Sequence, residues 1–326
     1  MYRWTIRRGR RRRRTNPSHI LMGGSAMKVL VTGATGYVGF MVASAFRRAG
    51  HRVWGLARTE EKARRIERHE LIPVLGDMKD PDSFVKVARE CSVLVHAAID
   101  FQADTAELDR RTVEVLLDAA EAGPQPKMVI YTSGVWVYGD TGGRLVDECD
   151  PLNPPAIVGH RPQVEQMVVR ADGVRGLVIR PGCVYGKRGG LTGPWFQSAD
   201  AGALAAIGDG ATSWCMVHVD DLADGYLRAA ESALSGEIFN MAEAHCPTVR
   251  EMVEAVARGA GYKGKIRYVT VKEAAATAGR PLAEALAMGQ RVDSSKAERL
   301  LGWQPRHRGF AADADLYYRA WKQLQA

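Results

Sequence analysis

Short apolar runs alternate with amphipathic stretches from Met27 onward, the rhythm of a parallel sheet wrapped on both faces. The runs Lys28–Thr32, Arg52–Ala57, Leu71–Leu75, Val93–Ala97, Met128–Thr132 and Gly176–Arg180 predict strands. Helical spacing of apolar positions predicts helices over Tyr37–Ala49, Glu60–Arg68, Pro81–Glu90, Thr105–Ala122 and Pro162–Ala171. Six strands with crossovers at this spacing predict an α/β fold, a doubly wound parallel (Rossmann) sheet. After Gly186 the rhythm breaks into a Gly-rich stretch, then Pro194, Trp195 and Phe196. Trp214–Val219, a helix over Asp221–Glu231, and Glu237–Ala242 are expected to return to the main sheet. The remainder reads as mostly helical, with short strands at Lys265–Val271 and Arg291–Asp293. The expected organisation is therefore a dinucleotide-binding domain over 27–186, rejoined by 214–242. A smaller, mostly helical substrate-binding cap would comprise 187–213 and 243–326.

Composition changes this picture in two places. The net charge of +8 comes from a leader, residues 1–26, holding eight arginines and no lysine or acid. Of the 45 Lys and Arg, 37 remain beyond it, against 37 Asp and Glu. The body is formally neutral, so no nucleic-acid surface is expected of it. The leader reads as a disordered extension outside the fold. The five cysteines lie far apart in sequence without a CxxC pair, which predicts reduced thiols, no metal site and a cytoplasmic setting. No apolar run is long enough for a membrane span.

The chemistry begins at Val29-Leu-Val-Thr-Gly33-Ala-Thr35-Gly36-Tyr37-Val38-Gly39. A glycine-rich turn between an apolar strand and an amphipathic helix is a dinucleotide loop. Gly33 permits the turn, Gly36 the approach of a pyrophosphate, and Gly39 the packing of helix on strand. The helix N-terminus then offers free N–H groups to the phosphates. Proteins that prefer NAD place an acid at the end of the second strand to bind the ribose 2′-OH. Here Arg58 stands there, a partner for a 2′-phosphate, so NADP(H) is favoured over NAD(H).

From Met27 to about Arg308 these and further motifs make the chain resemble the extended short-chain dehydrogenase/reductases, the group of nucleotide-sugar epimerases, dehydratases and dihydroflavonol-type reductases. Gly76-Asp77-Met78 resembles the family's adenine-side segment, and His96-Ala97-Ala98 its stretch under the nicotinamide ribose. Thr132-Ser133 with Val137-Tyr138-Gly139 resembles the fifth strand and its active-site serine. Arg180-Pro181-Gly-Cys183-Val184-Tyr185 resembles the strand exit that cradles the nicotinamide. The resemblance implies cofactor contacts from Asp77, Met78, Ala97, Ala98, Thr132, Pro181 and Val184. It also implies YxxxK, whose Tyr transfers the proton. Counting back from Glu165 places Arg161 at the Lys position and Ile157, or Val158 after a slip of one, at the Tyr position. Neither can carry a proton, so the chain resembles the atypical members that lack the tyrosine.

Ser133 then remains to hold a carbonyl oxygen and Arg161 to hold the ribose. Tyr138 is the first candidate for a replacement donor, with His160 or a water as the fallback and Tyr185 at the next strand exit. Three functions follow. The first is an NADP(H)-dependent reductase or dehydrogenase of a small, partly apolar carbonyl or alcohol. The second is a non-catalytic NAD(P)H-binding sensor or assembly subunit. The third is a nucleotide-sugar epimerase or dehydratase, against which stands Cys183 at a position where sugar-nucleotide enzymes usually carry Asn. The expected partner is a small-molecule substrate, with a homodimer open to the fold.

Overall fold

The computed structural model describes residues 26–100, 104–123, 125–307 and 309–325. The leader, to residue 25, lies outside them. Seven parallel strands form the central sheet: β1 (Lys28–Thr32), β2 (Arg52–Ala57), β3 (Ile72–Leu75), β4 (Val93–His96), β5 (Met128–Thr132), β6 (Arg175–Pro181) and β7 (Glu237–Met241). Their spatial order is 3-2-1-4-5-6-7, reversing at β1, the topological switch point where such sheets bind ligands. β1 sits between β2 and β4, with Val29 opposite both Val53 and Val93.

The strands are apolar on both sides because helices cover both faces. On one face α1 (Tyr37–Arg48) packs over Val29, Val31, Val95 and Ile130. Beyond α2 (Glu60–Glu67) and α3 (Val85–Glu90), α4 (Thr105–Glu121) and α5 (Arg161–Val169) cover the other face through Leu116, Val164 and Val168. The segment Pro81–Ser83 forms a 3₁₀ turn ahead of α3, where one continuous helix was expected. Ser83 Oγ donates to the Asp80 carbonyl at 2.5 Å and accepts from the Asp77 N–H at 3.1 Å, which closes that turn.

The chain departs from the expected pattern after β6. Trp214–Val219 does not join the main sheet. Only Met216–His218 is strand, and it pairs with Cys183–Tyr185 in a separate parallel ribbon. The physical cause lies at Gly182, whose N–H donates to the Met241 carbonyl at 2.9 Å while the next N–H, of Cys183, donates to the Cys215 carbonyl at 2.7 Å. The strand thus changes neighbour within one residue. A Cβ on Gly182 would stand 2.7 Å from that Cys215 oxygen.

The Gly-rich region holds α6 (Gly193–Asp200), which buries Trp195 and Phe196. α7 (Val219–Glu231) starts two residues before the expected Asp221 and returns under the main sheet. Its N-cap is His218, whose Nδ1 accepts the Asp220 N–H at 3.1 Å. α8 (Val249–Ala260), α9 (Val271–Ala278), α10 (Arg280–Leu286), α11 (Ser295–Leu301) and α12 (Ala314–Gln323) complete the chain. Trp195, Phe196 and Trp214 join α8 and α12 in an aromatic core of their own. Ala297, Leu301 and Trp303, grouped with the cap on sequence, pack instead into the main core with α7.

Candidate functional site

The strands of the main sheet all end on one edge, and the candidate residues lie there. After β1, Gly33 takes φ +74°, and a Cβ there would stand 2.5 Å from the Ala97 carbonyl oxygen. The loop therefore runs flush against the end of β4, which only glycine allows. A Cβ on Gly39 would collide with the Gly33 carbonyl, so α1 starts hard against the same loop. Thr35 and Gly36 carry the chain into α1. The helix has no side-chain cap and no acid in its first turn, which leaves its N–H groups and positive dipole end to an anion.

Beside this loop opens a cavity of about 890 Å³. It brings together nine of the residues expected on sequence: Tyr37, Val38, Ala97, Ala98, Thr132, Ser133, Arg161, Pro181 and Val184. Ile157 and Val158 also face it, from a 3₁₀ turn over Ala156–Val158. Arg161, at the first turn of α5, donates from Nη1 to the Ser133 carbonyl at 2.6 Å. Ser133 is buried, and its Oγ has no hydrogen-bond partner. Such an orphaned polar atom costs stability unless something binds it. With the glycine cradle and the uncapped helix, it fits a bound dinucleotide whose nicotinamide end reaches this wall.

Arg58, Asp77 and Met78 lie at the ends of β2 and β3, outside the cavity lining. Arg58 is half exposed and pairs with Asp100 at 3.1 Å, and Lys79 reaches the same carboxylate at 3.5 Å. Lys79 was missed on sequence, although two cations flanking one strand edge are the signal a 2′-phosphate site would leave. Asp77 Oδ1 accepts the Lys79 N–H at 3.0 Å, so the carboxylate braces its own turn.

The replacement donors do not reach the cavity. The Tyr138 hydroxyl is buried, donating to Asn240 Oδ1 at 2.9 Å and accepting from Arg180 Nη1 at 2.7 Å. Arg180 in turn holds Glu165 through two hydrogen bonds of 2.9 and 2.5 Å. Burial pushes the Tyr138 phenol up to about 12, against the pull of Arg180 and Asn240. Tyr185 donates to Glu243 at 2.6 Å, and burial together with that carboxylate holds its phenol far above the usual range. His160 faces Asp109 at 3.1 Å, an acid it shares with His96 (2.8 Å) and Tyr131 (2.6 Å). Burial alone would raise the Asp109 pKa, but hydrogen bonds from His160, His96 and Tyr131 outweigh it and hold the carboxyl well below the usual range. Three buried or half-buried polar networks thus absorb the groups that sequence offered as acids.

Trp136, which sequence offers as a pocket residue or as core, and Cys183, at the expected strand exit, also line the cavity; Thr105, Leu191 and, from α9 and α10, Ala278, Pro281 and Leu282 carried little sequence signal. Thr105 Oγ1 is tied to the Asp100 carbonyl at 2.9 Å and the Tyr37 hydroxyl to the Gly186 carbonyl at 2.7 Å. Away from the cavity, the possible ligand atoms of His218, Asp220 and His307 lie within 4.8 Å of one another. Lys187 already pairs with Asp220 there at 2.9 Å.

A seven-stranded parallel sheet with a glycine cradle at its switch point defines an NAD(P)-binding Rossmann protein. The model of the NAD dependent epimerase/dehydratase family matches residues 29–242, and the chain belongs to that family. It is similar to the 4-hydroxy-2-methyl-3-oxo-4-farnesyl-3,4-dihydroquinoline-1-oxide ketoreductase of Stigmatella aurantiaca, 30% identical over 77% of this chain and 79% of the relative. Among solved structures, it superposes with a TM-score of 0.78 on a UDP-glucose 4-epimerase from Thermotoga maritima solved with UDP-glucose. That match is 20% identical and covers 92% of this chain and 100% of the other. The human epimerase family protein SDR39U1, solved with NADPH, gives a TM-score of 0.75 at 22% identity, covering 90% and 99% of the two chains. The family binds NAD(P), and among the described residues no helix is long and apolar enough to cross a membrane.

Proposed function

We propose that this protein is an NADP(H)-dependent reductase or dehydrogenase of a small, largely apolar carbonyl or alcohol, working without the family's tyrosine. The observation that carries the reading is Ser133 Oγ, buried without a partner in the wall of an open 890 Å³ cavity. A carbonyl oxygen is the acceptor that such a hydroxyl lacks. Arg161 fixes Ser133 through its carbonyl, and its guanidinium, facing the cavity, would hold the ribose hydroxyls. NADP(H), when bound, supplies the hydride chemistry. With Tyr138, Tyr185 and His160 committed elsewhere, water in the cavity is left as the source of the proton.

The wall argues for the substrate class. Ala278, Pro281, Leu282 and Trp136 bring apolar surface, and Arg161 is the one cation among the described lining residues. A nucleoside diphosphate would meet little to neutralise it, which disfavours the sugar-nucleotide reading. The ketoreductase similarity points the same way. The non-catalytic reading is favoured by Ile157 and Val158 at the tyrosine's place. The cavity beside them is open rather than filled, which favours the enzyme.

NADPH absorbance followed against a panel of apolar ketones and aldehydes tests both substrate class and cofactor. NADPH should be consumed faster than NADH at equal concentration, and Arg58→Ala should remove most of that difference, because the 2′-phosphate gains charge-assisted bonds that NADH cannot make. No consumption with any carbonyl, alongside tight NADPH binding, would move the assignment to the sensor or subunit reading.

A further inference from the structure

Cys215 and Cys246 stand 31 positions apart in the chain, yet their Sγ atoms lie 3.3 Å apart. Cys215 precedes the Met216–His218 strand and is buried, whereas Cys246 follows β7 and is half-buried. Cys215 Sγ is 3.1 Å from the Gln290 carbonyl, which takes its one thiol proton while Cys246 stays protonated and loses it to a Cys246 thiolate, and Sγ accepts the Val292 N–H at 3.1 Å. The two thiols are unlike. The hydrogen bond shared with Cys215 pulls the Cys246 thiol below its ordinary range against the effect of burial, and Arg291 assists. The same bond, with burial, pushes Cys215 far up. The more exposed sulfur is thus the readier thiolate, and the buried one keeps its proton beside it. An accessible thiolate next to a second thiol is the arrangement that redox-active cysteines use.

We infer that Cys215 and Cys246 form a redox pair, with Cys246 the peroxide-reactive sulfur and Cys215 the one that resolves it into a disulfide. The Cys246 thiolate attacks one oxygen of hydrogen peroxide; the O–O bond breaks, hydroxide leaves and a sulfenic acid forms. Cys215 sulfur then attacks Cys246 sulfur. The S–O bond breaks, the S–S bond forms, and the hydroxyl leaves as water with the Cys215 proton. Two electrons from the pair reduce one peroxide to two waters, and a dithiol reverses the change. The sulfurs need only close from 3.3 Å to about 2.0 Å.

Closure reaches the cavity. It removes the proton that Cys215 gives to Gln290, whose side chain donates to the Val135 and Gly139 carbonyls at 2.8 Å each. Val135 lines the cavity, as does Cys183, whose N–H is held by the Cys215 carbonyl. The pair therefore lies behind the part of the wall formed by Val135 and Cys183. This inference goes beyond the proposed reaction and stands without it, because its readout is chemical.

The test treats the reduced full-length protein with hydrogen peroxide, blocks remaining thiols with a maleimide, and reads intact mass and proteolytic peptides. The expected result is the loss of two blockable thiols, a mass lower by two hydrogens, and a linked peptide pair joining Cys215 to Cys246 that dithiothreitol releases. Cys246→Ser should abolish the linkage, and Cys149→Ser, at an exposed site apart from the pair, should leave it intact. Cys246 carrying two or three oxygens while Cys215 stays free would overturn the proposal. So would an unmodified pair under conditions that oxidise Cys149.

Discussion

A buried hydroxyl without a partner costs roughly 1–3 kcal/mol, and Ser133 bears that cost at the cavity wall. Five residues on, Tyr138 has the opposite situation, with its hydroxyl doubly bonded to Asn240 and Arg180. Sequence alone ranked Tyr138 as the donor because the motif around it resembles a substrate loop; which way its ring turns depends on Arg180 and Asn240, distant in the chain. The two residues should therefore respond differently to substitution. Ser133→Ala should cut turnover by about 10²–10³, the usual loss for one oxyanion donor, with NADPH affinity nearly kept and the melting temperature raised, because the unpartnered hydroxyl is gone. Tyr138→Phe should leave turnover per folded molecule unchanged. It should lower stability by about 1–3 kcal/mol, because Arg180 loses a buried partner. Kinetics with a denaturant titration on both variants separates these roles. A turnover loss in Tyr138→Phe larger than that in Ser133→Ala would reverse the assignment.

Among the elements, the strands and helices up to α5 were legible to within a residue or two, α3 excepted, because periodicity two and periodicity 3.6 differ plainly in an apolar-rich chain. What sequence could not show was pairing. Trp214–Val219 reads as a strand of the main sheet, yet the neighbour change at Gly182 sends it to Cys183–Tyr185. The same hidden pairing brings Cys215 to Cys246. It also places Glu243, just past β7, between elements: Oε1 accepts from Tyr185, and its N–H donates to the Met216 carbonyl at 2.7 Å. Burial pushes the Glu243 carboxyl up to about 7, against the hydrogen bond from Tyr185. A raised folded-state value for an acid favours the protonated form. Its stabilising contribution is full below the ordinary glutamate range and is lost as pH rises toward 7. Glu243→Gln, which can still accept from Tyr185, should remove that loss, worth about 3 kcal/mol from the proton linkage. Thermal melts at pH 5 and pH 8 should show the variant gaining on the parent only at pH 8. A constant difference across that range would deny the shift.

At the scale of the whole molecule, the glycine cradle, the strand ends and the apolar hairpin of α9 and α10 converge on one edge of the sheet. The glycine loop beside the cavity was readable because its glycines and its strand–turn–helix context are local signals. The substrate half was not, because Leu191, Ala278, Pro281 and Leu282 come from distant segments and reach the cavity only through tertiary packing. In the proposed complex a dinucleotide lies with its nicotinamide against Pro181 and Val184, leaving open space beside Ser133. A crystal structure of the protein with NADP⁺ tests it most directly. The expected complex has the nicotinamide carboxamide end at that wall, Arg161 on the ribose hydroxyls, Arg58 turned from Asp100 to the 2′-phosphate, and an open pocket within hydrogen-bond reach of Ser133 Oγ. A nicotinamide held elsewhere, or a pocket beside Ser133 closed by Ile157, Val158 and α10, would contradict it.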